Sequence, residues 1–174
     1  MTFVERMIGA AKLDVRVYEE VEADRSATPQ ALAVVVLAAV AGGIGAGAGL
    51  RGLVLGSVLG LVGWAVWAWL IYIIGTRWLP EPDTHADTGE LLRTIGFATS
   101  PGLLRVVGFV PILGPLVTVV TAVWTLVTMV IAVRQALDYR STGRAVGVCL
   151  IGWLVQVTIL IVLGLVLRPP GGLR

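Results

Sequence analysis

The stretch Val110–Tyr139, VPILGPLVTVVTAVWTLVTMVIAVRQALDY, decides what kind of fold this chain adopts. No charge interrupts the run from Val106 to Val133, and about 20 apolar residues suffice to cross a bilayer as a helix. Pro111 and Pro115 open it. Proline is tolerated in the first turn of a helix and is costly deeper in, so the spacing predicts a helix over 113–135, starting near Gly114–Pro115. Its apolar part ends at Val133, and Arg134, Asp138 and Arg140 project into water or the headgroup layer.

The rest of the chain repeats this pattern. Hydrophobic residues make up 57% and charged residues 14%, where a soluble domain carries about 25% charged. Mean hydropathy is +0.92, and the charges are bunched between long uncharged intervals. The expected class is an all-α, polytopic membrane helix bundle. A formal charge of +2 gives nucleic acid no electrostatic footing. The single cysteine, Cys149, excludes an intramolecular disulfide and lies in an apolar run, where it reads as a packing residue. The single histidine, His85, leaves no His-based metal cluster and no His-centred triad. With no visible nucleophile–base spacing either, the sequence predicts no catalytic residue, no metal and no cofactor.

Residues 1–27 are polar and mixed in charge. Val4, Met7, Ile8, Ala11, Val15 and Tyr18 fall at helical spacing opposite Glu5, Arg6, Lys12, Arg16 and Glu19, which predicts one amphipathic cytosolic helix. It is read as lying on the membrane surface, or as docking a cytosolic partner. Thr28–Pro29 reads as an N-cap and first helical residue, opening a transmembrane domain over 28–168.

The first helix is expected over 29–50 and the second over 52–76, with Arg51 at the turn between them. The first ends in AVAGGIGAGAG, residues 39–49, and includes Gly45 and Gly49. The second carries Gly52, Gly56 and Gly60 at every fourth position. Small residues let helices in lipid approach closely, so these glycines are expected to pack the two helices together. Tyr72 and Trp78 mark the membrane border, and Trp64 reads as packing. Asp83, His85, Asp87 and Glu90 lie in a polar loop whose spacing fits no metal-ligand pattern, and Asp87 or Thr88 caps the helix that follows.

The third segment, 90–110, is ambiguous. Thr94–Val110 would span about 25 Å as a straight helix, short of the ~30 Å hydrocarbon layer. Ser100–Pro101–Gly102 breaks it and Arg105 lies within it. It is either a crossing kinked at Pro101, with Arg105 snorkelling, or a re-entrant segment. In the organising helix, Thr118, Thr121, Thr125 and Thr128 share one face and read as helix packing. The last helix, 144–168, holds Gln156 at its middle, where a lone amide is expected to bond to another helix. Residues 169–174 form a tail.

Five crossings are the expected number and four the runner-up. Either way the Lys and Arg residues divide nine inside to four outside when the amino terminus is cytoplasmic, as the positive-inside rule requires.

ELLRTIGFATSPGLLRVVGFVPILGPLVTVVTAVWTLVTMVIAVRQALDY, residues 90–139, resembles the bacterial branch of the Yip family of Ypt/Rab-interacting-protein-like membrane proteins. So does EEVEADRSATPQALAVVVLAA, residues 19–39. Pro101, the Pro111–Gly114 pair, Trp124 and the exit Arg134–Gln135–Ala136–Leu137 carry the likeness. The resemblance implies five membrane helices and a cytosolic amino terminus. Eukaryotic members are associated with Rab-type GTPases. This chain lacks their long amino-terminal region and Asp-Leu-x-Gly-Pro motif, which points to a prokaryotic inner membrane. The function expected is non-enzymatic: organising membrane partners or lipids. The alternative is a small-solute or ion carrier using the broken third helix. Membrane lipids are the expected partners, with a protein at the cytosolic face around Arg134 and Asp138, or a second copy of the chain, as further classes.

Overall fold

In the computed structural model, which describes residues 1–166, the amino-terminal region folds as two helices where one was expected. α1 spans Phe3–Ala11 and α2 spans Val15–Ala23. Thr2 and Glu5 form a capping box at the start of α1, and Asp14 accepts the Arg16 backbone N–H at the start of α2. Between them Leu13 adopts a left-handed φ of 65° and reverses the chain. The apolar spacing from Val4 to Tyr18 runs through this reversal, so it could not reveal it. The wheel also turns out differently. α1 buries Arg6 and Ala10 and exposes Val4 and Ile8, while α2 buries Val17, Tyr18 and Val21.

A 3-10 turn, Arg25–Ala27, leads into α3, Thr28–Gly45. Thr28 is therefore inside the helix and not its N-cap; its hydroxyl donates to the Arg25 carbonyl. Pro29 occupies the first turn, where its missing N–H costs nothing. Gly47, at φ 70°, turns the chain into α4, Leu50–Ile73, which widens into a π turn over Ile74–Trp78. α5 spans Thr88–Ala98 behind an Asp87–Glu90 capping box, a 3-10 run covers Ser100–Phe109, α6 spans Gly114–Ala136 and α7 spans Thr142–Val166. The expected tail, 169–174, and the end of the last helix, 167–168, lie outside the described residues.

Among the described residues, four helices are long and apolar enough to cross a membrane: Arg25–Gly45, Leu50–Trp78, Gly114–Ala136 and Thr142–Ile159. The segment expected as a third helix over 90–110 is a composite. Pro101 cannot donate to an α-helical ladder, and from Ser100 the backbone tightens to 3-10 geometry. That geometry rises about 2.0 Å per residue against about 1.5 Å in an α-helix, so α5 and the 3-10 run together cover about 36 Å. They descend beside α3, with Gly96 against Ala31, Gly102 against Ala38 and Gly108 against Gly45. The composite thus reaches as deep as α3 does. Gly102, Arg105 and Gly108 recur every third residue and so form one file of the 3-10 helix, turned to α3.

The buried core lies at the end that carries α1 and α2. One cluster joins Ile71, Ile74, Leu91, Val133, Leu137 and Val148. The other joins Val17, Tyr18, Val21, Val34, Phe97 and Ala132. Towards the far end the helices expose their apolar side chains, Leu59 at 69% and Leu126 at 65% among them. Water does not tolerate such a surface, whereas lipid does.

The glycines distribute differently from the expectation. α3 and α4 are neighbours, but along the expected stripe only Gly60 approaches α3, at Ala39; Gly52 lies against Ala48 in the turn, and Gly56 and Gly49 border open space. Gly45 instead lies beneath the Arg105 carbonyl, where any Cβ would overlap it. The tightest backbone contact is between α3 and the 3-10 run.

Candidate functional site

The polar side chains that tie the most elements together lie at the hairpin end. α1 and α2 form an antiparallel hairpin clamped by Arg6, which is only 6% exposed. Its guanidinium donates to Glu20 at 2.8 Å, Asp24 at 2.6 Å and the Gln30 amide oxygen at 3.0 Å. One buried cation thereby ties α1, α2 and the first turn of α3. Hydrogen bonds from Ser26 and Arg6 hold the Asp24 carboxyl down at about 2. The buried Tyr18 hydroxyl donates to the Ala10 carbonyl at 2.9 Å and closes the hairpin from inside.

Three side chains then fix the hairpin to the bundle. Buried Arg93 of α5 donates to the carbonyls of Val21 and Glu22, neutralising the exposed carbonyl end of α2. The Gln135 amide donates to Glu19 at 3.3 Å, and the Trp124 indole donates to the Ala11 carbonyl at 2.7 Å. The Glu22 carboxyl is half-buried, and burial together with Asp138 and Glu90 pushes it up to about 7.

A second assembly zips two loops. Arg140 pairs with Asp83 at 2.5 Å, and Arg144 pairs with Glu81 at 3.4 Å and donates to the Pro80 carbonyl. Tyr139 donates to the carbonyls of Gly75 and Leu79, which the π turn leaves without regular helical partners. Burial pushes the Tyr139 phenol up to about 12. Arg134 donates to the carbonyls of Tyr139 and Arg140, and Asp138 takes a left-handed φ of 53°. Arg134 and Asp138 therefore shape the α6–α7 turn, and the loops expected to offer charges outward spend most of them on each other.

The remaining expected residues are scattered. Pro101 is buried at the joint beneath α5, whereas Pro111 and Pro115 are exposed before and within the first turn of α6. Gly114 lies so close to the Gly108 carbonyl that a Cβ would come within 2.6 Å of it. Arg105 reaches Thr121 of α6 at 3.3 Å. Gln156 is half-buried on α7 and makes no hydrogen bond among the described residues, contrary to expectation. Thr128 of the threonine face bonds across to the Ala98 carbonyl at 2.7 Å, and Trp64 donates to the Leu92 carbonyl. Asp83, Asp87 and Glu90 are occupied by an ion pair and a capping box, and among the described residues no three potential metal ligands converge.

Arg6, Arg93 and Tyr139 were not singled out from the sequence. Only one signal could have found Arg6: it shares a helical face with Phe3 and Ala10, and carboxylates at Glu20 and Asp24 lie one turn apart to receive it.

Long apolar helices side by side, with most of the charge in turns and at one end, define a multi-pass integral membrane protein. The Yip1 domain model matches residues 16–164, and the chain belongs to that family. No curated protein and no solved structure matches it. The matched span takes in α2 from its second residue, α3 to α6 whole and α7 to within two residues of its end, together with Pro101, Trp124 and Arg134.

Proposed function

We propose that this Yip1-domain protein is a non-enzymatic organiser of the membrane, working on lipids and membrane partners through the docked hairpin. In this reading it crosses a prokaryotic inner membrane five times, the composite segment included, with its amino terminus in the cytoplasm. The observation that carries the reading is the hairpin: an ion-clamped element fixed to three helices, with Val4 and Ile8 turned outward. Photo-crosslinkers placed at Val4 and Ile8 in native membranes test it. Reproducible lipid or protein adducts at both positions, lost in Arg6→Ala, are the expected result; no adduct above a buried α3 control at Val34 rejects the reading. Labelling of cysteines at Thr84 and Ile112 from opposite sides of the membrane checks the crossing number.

The carrier reading retains one observation in its favour. Arg105, half-buried between α3 and α6, has a single side-chain hydrogen bond among the described residues, to Thr121. Against it, the break at Ser100–Gly102 is packed shut on Ala38. Solute flux into liposomes that disappears in Arg105→Ala would restore it.

A further inference from the structure

The hairpin does not rest on top of the bundle. Its two bonds to α6 are made by Trp124 and Gln135, eleven residues apart, which is about 16 Å of helix axis. The Gln135 contact is near the Ala136 end of α6, and the Trp124 contact is midway to Gly114. The reversal between α1 and α2 therefore points down α6 and stops near its middle. That tip carries charge beside apolar Leu13 and Val15: Lys12 is exposed, and Arg16, its side chain 86% exposed, pairs with Asp14 at 3.0 Å.

The exposed apolar surface follows the same outline. On α4 it runs from Leu50 to Trp69, about 28 Å, and on α7 from Val146 to Val162, about 24 Å. On α6 it runs only from Leu116 to Val127, about 16 Å, above which Val17, Tyr18 and Val21 of α2 pack around Ala132. One side of the bundle suits a full hydrocarbon layer and the other suits little more than half of one. Charges at mid-bilayer are costly, and a bilayer can thin locally to meet a short apolar wall.

We propose that the hairpin holds the headgroup layer of its leaflet down to the level of Trp124, so that the bilayer is thinned on the α6 side alone. The proposal rests on the reading of the protein as a membrane organiser with a cytoplasmic amino terminus, and it names lipid as the material organised. The wedge-shaped apolar belt is the device: lipids on the α6 side meet a shorter wall than lipids beside α4 and α7.

The test is nitroxide accessibility in the full chain, reconstituted in phosphatidylcholine–phosphatidylglycerol vesicles on a Cys149→Ser background. Labels go on Arg16→Cys at the tip and Leu154→Cys midway along α7, with Lys12→Cys as a second tip position. The ratio of oxygen to water-soluble nickel accessibility is expected to be roughly tenfold lower at the tip than at Leu154, because water is absent from the hydrocarbon core. A second label at Val127→Cys reads whether the hairpin is docked, and a short, narrow tip-to-127 distance is expected. An oxygen-rich tip overturns the proposal, since the notch would then be filled with lipid tails. A water-exposed tip with a long or broad distance also overturns it, since the hairpin would then have left α6. An impermeant maleimide applied from each side of sealed vesicles reads orientation separately, so a reversed amino terminus is not mistaken for either result.

Discussion

At the hairpin end, helices are joined by directed polar bonds: Arg6 to three partners, Arg93 to two carbonyls, Tyr139 to two more. At the far end such ties thin out, and the closest joint is backbone against backbone, with Gly45 under the Arg105 carbonyl and Gly114 against Gly108. The difference follows from solvent. Lipid tails are as apolar as the side chains, so burying leucine between membrane helices gains little, and close van der Waals approach must do the holding. Near water, buried polar groups can be matched on folding, and α2 can cover an apolar face because water drives it there.

The contrast is broken most severely at Gly45. Gly45→Leu should cost about 3 kcal/mol or more, because the side chain must displace a backbone carbonyl and not a flexible neighbour. Loss of a monodisperse species in detergent, or a melting midpoint lowered by about 10 °C, would register it. A variant that melts like the parent would show that the α3 joint is not what holds the far end.

Next in size is Arg6→Ala, which leaves Glu20 only the Met1 amino group and Asp24 only Ser26, each carboxylate about a third exposed. Discounted for that exposure, the loss should be about 2 kcal/mol. It should be confined to the hairpin, with amide exchange accelerated in α1 and α2 and unchanged in α4 and α7. Uniform acceleration would mean that the two ends are one cooperative unit.

A smaller effect is expected from pH. The Glu22 carboxyl titrates at about 7 when docked, above its ordinary 4.5, so the docked hairpin binds a proton more tightly than a free one. Docking should therefore strengthen as pH falls through about 7 towards 4.5 and weaken above it. Asp138 beyond α6, Glu90 and Arg93 on α5, and Glu19 on α2 are the charges that face it. Glu22→Gln should flatten the dependence; protection factors in α2, corrected for the intrinsic pH dependence of exchange, that still rise on acidification in this variant would assign it to another group.

The smallest change belongs to Gly56→Ala. Nothing lies near a Cβ there, and alanine is the better helix former, so the stability should stay within about 0.5 kcal/mol of the parent or rise slightly. A large loss would restore the every-fourth stripe as a packing face.

Much of the bundle could be read from residue order. Pro115 and the charge at Arg134 bracket α6 correctly, and Asp87 with Glu90 marks the start of α5. The glycine stripe named the right pair of helices, with Gly60 against Ala39, but not the other partner of Gly45, because spacing shows which residues share a face and not what that face meets. The joint that needs glycine pairs helix with 3-10 run, so its partners keep different periods and no single repeat displays them. The hairpin escaped for a similar reason: Leu13 gives no hint of a left-handed turn, and Asp14 was hidden within a pattern that continued past it.

The three files of the 3-10 run carry a consequence for how this segment can change in length. With three residues per turn, adding or deleting one residue between Ser100 and Gly108 swings everything beyond it by about 120°. Phe109, 65% exposed, or its neighbours would then face α3 in place of Gly108. Only triplet insertions preserve the facing, and even these lower the remaining chain by about 6 Å. The stretch should behave as a ratchet: permissive to exchanges on its outer files, and closed to indels that are not multiples of three.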